Sequence, residues 1–151
     1  MNNTTRIILS GMVATAVMTM MMMIAPYMGL PKMDVAGMLS SMTHTPLIIG
    51  WLMHFMIGIF FAFVYAKYFN RWLHKIDSNI VRGMLYGFFV FIFAQIMIPI
   101  LMKIMPPTDM PMSENQKMIL MLLGSLIGHL VFGGILGIFN NKVIDINESV
   151  V

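Results

Sequence analysis

The stretch Gly50-Trp-Leu-Met-His54-Phe-Met-Ile-Gly58-Ile-Phe-Phe-Ala62-Phe-Val-Tyr-Ala66 decides the fold. It carries no fixed charge, and Gly50, His54, Gly58, Ala62 and Ala66 fall at steps of four. A step of four keeps residues on one face of a helix. Small residues on such a face let a second helix approach closely in lipid. The period-two alternation of a barrel strand is missing. A second ladder, Ser125, His129, Gly133 and Gly137, repeats the pattern near the other end of the chain. An ionisable group at membrane depth marks a candidate functional site, so His54 and His129 head the candidates.

Working outward, apolar runs cover 7–27, 47–69, 83–102 and 118–139. Each comes close to or exceeds the roughly 20 residues a helix needs to cross the hydrocarbon core. The composition agrees: 59% of the 151 residues are hydrophobic, 10% are charged and the mean hydropathy is +0.86. Soluble domains carry about 25% charged residues, so this surface is built to face something other than water. The first run is longer than the core of a signal peptide and lacks a small-x-small cleavage site, so it reads as a retained helix. The expectation is an all-α, polytopic membrane protein in which residues 1–151 form a single domain of four transmembrane helices.

Charge placement sets the orientation. One side receives Arg6, Lys67, Arg71, Lys75, Arg82 and Lys142, the other only Lys32, Lys103 and Lys117. Cytoplasmic loops carry the excess of basic residues, which points to both termini and the middle loop in the cytoplasm. Trp51 and Trp72 bracket the second run, about 31 Å apart at helical rise, and suit the two interfacial belts. By the same ruler His54 lies about 5 Å below the outer belt and His129 about 18 Å in from Lys117, so the two histidines are expected at different depths. The basic stretch from Lys67 to Lys75 suits anionic headgroups and leaves nucleic acid without a docking surface.

The two halves of the chain repeat each other. Gly11-Met12 and Gly83-Met84 open helices one and three, which end near Pro26 and Pro99. His54-x-x-x-Gly58 and His129-x-x-x-Gly133 follow in helices two and four. This implies two duplicated helical hairpins, about 7–72 and 83–140, related by an axis along the membrane normal. Helix one carries Gly11, Thr15 and Thr19 on one face, and helix three carries Gly83, Gly87, Phe91, Gln95 and Pro99. Gln95 is the expected hydrogen-bond partner of His129. Gly124 and Gly128 lie off the histidine seam and suit a contact between copies. Between helices one and two, Val35, Met38, Leu39 and Met42 share a face, giving a short amphipathic helix on the outer surface, started by Pro31.

Two chemistries fit these residues. His54 and His129, with Gln95 beside them, could ligate a haem b in a pseudo-symmetric bundle, or each could hydrogen-bond across its seam and fix helix register. Methionine is the other anomaly, at 21 residues. Thioethers select Cu(I), and Met105, Met110 and Met112 with His44 form a candidate copper cluster. Methionine also serves as a flexible packing residue, and the Met20 to Met23 run points around every side of its helix. With no cysteine, disulfides and thiolate metal sites are excluded. All six acidic residues fall in loops or the tail, and no nucleophile–base motif or phosphate loop is present. The reading is a non-enzymatic membrane protein without a cofactor, a homo-oligomer or an accessory subunit of a larger membrane complex, with haem or copper binding as the rival.

Ser10-Gly-Met-Val-Ala-Thr15, Met18-Thr19, Pro26-x-x-Gly-Leu-Pro-Lys-Met-Asp34 and Gly50-Trp-x-Met-His54 together resemble a family of small bacterial four-helix inner-membrane proteins of unassigned function. The likeness is strongest over the first 60 residues and extends to His129. It implies the four-helix architecture and brings no ligand or catalytic residues with it.

Overall fold

A computed structural model describes residues 2–107 and 115–140, and every regular element among them is helical. Helix α1 runs Asn3–Ile24, with Asn2 capping it: the Thr5 N–H donates to Asn2 Oδ1 at 2.8 Å. A tight turn of 3₁₀ helix, Ala25–Met28, carries Pro26 and closes on Gly29, whose φ of +82° suits a residue without a Cβ. Helix α2 is Val35–Thr43 and α3 is Leu47–Val64. A π-helical turn, Tyr65–Phe69, joins α3 to a last short turn, Asn70–Trp72. Helix α4 spans Asn79–Ile104 and α5 spans Asn115–Phe139.

Four of these segments are long and apolar enough to cross a membrane: Asn3–Met28, Leu47–Trp72, Asn79–Ile104 and Met118–Phe139. Between 17% and 39% of each span's most apolar window is buried inside the protein, so most of an apolar surface faces outward. That surface suits lipid and not water.

What holds the helices together is close backbone contact. A Cβ added at Gly83 would run into the Gly133 carbonyl oxygen, and one at Gly133 into the Gly83 carbonyl oxygen. Gly87 meets the His129 carbonyl, and Gly137 meets that of Asn79. Helices α4 and α5 therefore cross with their main chains touching. The same device, less tight, joins α1 to α3. A Cβ at Gly11 would sit 2.8 Å from Ile59 Cα and 3.0 Å from Ala62 Cβ, while Gly58 receives the Thr15 hydroxyl. On its other side α1 packs on α5, where Gly128 takes Met18 and Met22. The sequence expectation that Gly124 and Gly128 join two copies is corrected here. Gly124 is covered by Met33 and Gly128 by α1, so both are used inside one chain.

The bundle thus runs α3, α1, α5, α4 around its axis, and aromatic rings close it between α3 and α4. Tyr65 and Tyr86 pack tilted at 5.1 Å, and Phe69–Tyr86 and Phe61–Phe93 meet edge-to-face at 4.8 and 5.8 Å. Tyr86 Oη donates to the Phe61 carbonyl at 2.7 Å. The π turn has a packing reason. Four-residue steps drift by about 40° each in an α-helix, and a turn with more residues recovers part of that drift. Gly50, His54, Gly58, Ala62, Ala66 and Asn70 all stay buried as a result.

The outer helix α2 forms as expected but starts later than Pro31. Its N-cap is Asp34, whose Oδ1 accepts the Gly37 N–H at 2.7 Å. It is docked on α3, with Gly50 pressed against the Ala36 carbonyl. It ends at His44 in the left-handed region, φ 52°.

Substituting Gly87→Leu would force the α4–α5 crossing apart, at a cost of about 1–3 kcal/mol. Gly134 is the control, since a Cβ there meets nothing closer than Met84 Cγ at 3.5 Å. Thermal unfolding in detergent should show Gly87→Leu melting well below the parent and Gly134→Ala melting with it.

Candidate functional site: two interior histidines and an outer cavity

His54 is 6% exposed, and its Nε2 lies 3.1 Å from Thr19 Oγ1 on α1. The edges of Trp51 and Phe55 approach the ring at 6.4 and 6.1 Å. Thr19 stands apart from Thr15 and Thr43, whose hydroxyls donate to carbonyls of their own helices at 2.7 Å. Its hydroxyl reaches across to α3 instead. His129 is half-buried and turned toward its own helix: its Nδ1 lies 2.7 Å from the Ser125 carbonyl oxygen. A carbonyl only accepts, so Nδ1 carries the proton, and in the neutral ring Nε2 holds the lone pair. Phe91 stands edge-on to this ring at 6.0 Å.

Gln95 does not reach His129 directly, as the sequence reading expected. Its Nε2 donates to Ser125 Oγ at 3.4 Å, and Ser125 Oγ lies 3.4 Å from His129 Nδ1. Serine, one turn before the histidine, relays the contact because it occupies the space between the two helices. The expected difference in depth is also corrected. Measured along α1, His54 is level with Thr19, and Gly128, next to His129, is level with Met18 and Met22. The two histidines therefore lie in one layer of the bundle.

Above His54, between α1, α2 and α3, lies a half-open cavity of about 400 Å³. Thr19 and His54 form its polar floor, Met22, Met23, Met33 and Trp51 line its walls, and Lys32 and Asp34 stand at its rim. The rim pair is loose, 3.9 Å apart and largely exposed. The copper cluster read from sequence is not assembled by what the structure describes. His44 and Met105 are exposed at the ends of α2 and α4, and Met110 and Met112 lie outside the described residues. No group of three His, Cys, Asp or Glu residues suited to a metal occurs among the described residues.

At the opposite end of the bundle is a buried polar clasp that the sequence reading missed. Arg82, counted by that reading among the basic residues of one side, sits in the first turns of α4 and is 5% exposed. Its Nη1 donates to Asn70 Oδ1 at 3.1 Å and its Nε to the Ile76 carbonyl at 2.9 Å. Asn70 Nδ2 donates to the Asn140 carbonyl at 3.4 Å, and Asn140 Nδ2 to Ser10 Oγ at 3.3 Å. The chain of bonds ties together all four spans. Arg6 Nη1 and Asn140 Oδ1 are buried beside no partner among the described residues. One signal was available: Asn70 is the next rung of the four-step ladder after Ala66.

The model of DUF6789, described as a family of unknown function, matches residues 1–150. The chain belongs to this family. No curated protein and no solved structure matches the chain. The DUF6789 match covers both histidine ladders, the cavity and the clasp.

The clasp gives a test. Asn70→Leu leaves the Arg82 guanidinium short of an acceptor and should lower stability by about 1–3 kcal/mol. Asn70→Asp supplies a carboxylate at the same place and should retain or raise stability. Unfolding monitored by circular dichroism in detergent checks both.

Proposed function

We propose that the protein is a non-enzymatic integral membrane bundle, a structural or accessory component that works as a homo-oligomer or within a larger membrane complex. The observation that carries this reading is how the interior polar groups are used. Thr19–His54 joins α1 to α3, Gln95–Ser125 joins α4 to α5, and Ser10–Asn140–Asn70–Arg82 joins all four spans. They act as struts between helices, which is how polar side chains stabilise membrane bundles. The outward surface is apolar over the length of every span, and it suits lipid or the helices of neighbouring subunits.

The two hairpins are read as a duplication. Gly11, Thr15 and Thr19 stand 72 residues before Gly83, Gly87 and Phe91, while His54, Gly58 and Ala62 stand 75 before His129, Gly133 and Gly137. The contacts correspond as well. Gly11 meets Gly58 and Ala62 as Gly83 meets Gly133 and Gly137, and Thr15 meets Gly58 as Gly87 meets Gly133. Thr19 touches His54 where Phe91 touches His129. The basic residues of the clasp end favour that end in the cytoplasm, in a bacterial inner membrane.

A second reading, haem or metal binding through His54 and His129, draws on one feature. His129 donates from Nδ1 to a backbone carbonyl, the arrangement that orients Nε2 for a metal.

Three measurements follow. Light scattering in mild detergent should give a protein mass that is a multiple of 17.1 kDa, or a partner should be recovered with the chain. A lone monomer with nothing bound to it would count against the proposal. Alkaline phosphatase fused at Asp77 should be inactive and at Lys32 active, and the reverse would overturn the orientation. An absorption spectrum should lack a Soret band, and a band lost in His129→Leu would favour the second reading.

A further inference from the structure

The cavity over His54 has a property that the bundle does not require. Thr19 and His54 carry two donors between them, one hydroxyl O–H and one imidazole N–H in the neutral ring. Their mutual bond at 3.1 Å uses one. Whichever group donates, one N–H or O–H remains, and it makes no further hydrogen bond among the described residues. His54 is more than nine-tenths buried, and both residues form the floor of the cavity. The remaining donor therefore belongs to whatever fills the space above it.

The rest of the cavity narrows the chemistry of that occupant. Its walls are mainly apolar, thioether and indole with the Tyr27 ring beside them, and its charges, Lys32 and Asp34, stand at the rim. Apolar cavities do not hold ordered water without several polar partners, and a volume of about 400 Å³ lies in the range of small-molecule sites. An anion would find no cation at the floor, and an ammonium would find no surplus acceptor. We propose that this cavity binds a lipophilic molecule through a hydrogen-bond-accepting carbonyl. The carbonyl takes the spare donor of the Thr19–His54 pair, and the apolar body lies against Met22, Met33 and Trp51. Two sources share this chemistry: an isoprenoid quinone and the acyl ester of a phospholipid. The site goes beyond the bundle proposal, and it is read by binding, not by oligomer mass, so the two can fail separately.

The protein supplies its own reporter. It has two tryptophans, Trp51 on the cavity wall and Trp72 at the far end, 70% exposed. In full-length protein carrying Trp72→Phe, delipidated in detergent, Trp51 fluorescence is titrated with decylubiquinone, whose ring quenches indole emission. In parallel, native mass spectrometry follows retention of added dioleoyl phosphatidylethanolamine. Saturable quenching, weakened about five- to tenfold by Thr19→Val and by His54→Leu, supports the site with a quinone occupant. One phospholipid retained per chain and released by the same substitutions supports it with an ester occupant. Thr19→Val is isosteric, so it carries the comparison if His54→Leu fails to keep its helical circular dichroism. Binding that does not saturate in either assay, or that Thr19→Val leaves unchanged, overturns the proposal.

Discussion

The structure depends on helices that touch backbone to backbone. In lipid no hydrophobic force draws two apolar helices together, because the hydrocarbon around them is as apolar as they are. Association must come from contacts that lipid cannot make, and the Gly83–Gly133 crossing is one of them. Its reciprocity matters. Each glycine faces the other's carbonyl, so neither helix can rotate or slide without driving a main chain into a main chain. Because the His129 carbonyl lies against Gly87, this crossing also fixes where the His129 ring begins. The α1–α3 contact is looser, with Thr15 in place of a second glycine, and it tolerates a side chain where α4–α5 tolerates none.

Polar groups then divide by depth. The histidine layer is made of short, neutral bonds, Thr19 to His54 and His129 to Ser125. Measured interhelical bonds average about 0.6 kcal/mol, so Thr19–His54, the one of the two that joins different helices, selects a register more than it holds the bundle shut. The clasp at the other end differs in kind. It buries a guanidinium whose acceptors are an amide and a carbonyl, with no carboxylate in reach among the described residues. A buried charge held only by neutral acceptors is expensive to leave unsatisfied. This makes the junction of four chain segments, Ser10, Asn70, Arg82 and Asn140, intolerant of partial assembly.

How much of this was legible follows from what sequence periodicity records. Period and length give the four spans, and steps of four give the buried faces, because both are properties of a single helix. Gly50, His54, Gly58 and Ala62 are all buried as the ladder implied. Partner identity is a property of two helices, and it was not legible. Gln95 meets Ser125 before it can meet His129, and Gly124 meets Met33 of the same chain. Relative depth was not legible for the same reason, since the packing of two helices sets how they align along the bundle. Arg82 was misread because a lone arginine at the start of an apolar run marks an interface on average. Only the surrounding Asn70, Ile76 and Tyr65 make this one interior.

Under the proposed duplication, the two histidines occupy corresponding positions with different surroundings. In the proposed repeat, the position facing His54 is Thr19 and the position facing His129 is Phe91. The first histidine thus meets a hydroxyl and a cavity, the second an aromatic edge and a backbone carbonyl. A ligand shared symmetrically would have kept the two surroundings alike, since both rings would need the same room and the same orienting bond. Here His129 has its Nδ1 tied to a carbonyl, and His54 opens on a cavity. The equal spacing of the ladders reflects how each hairpin packs. The unequal surroundings leave one histidine tied to its own helix and the other bonded to Thr19 at the edge of a cavity.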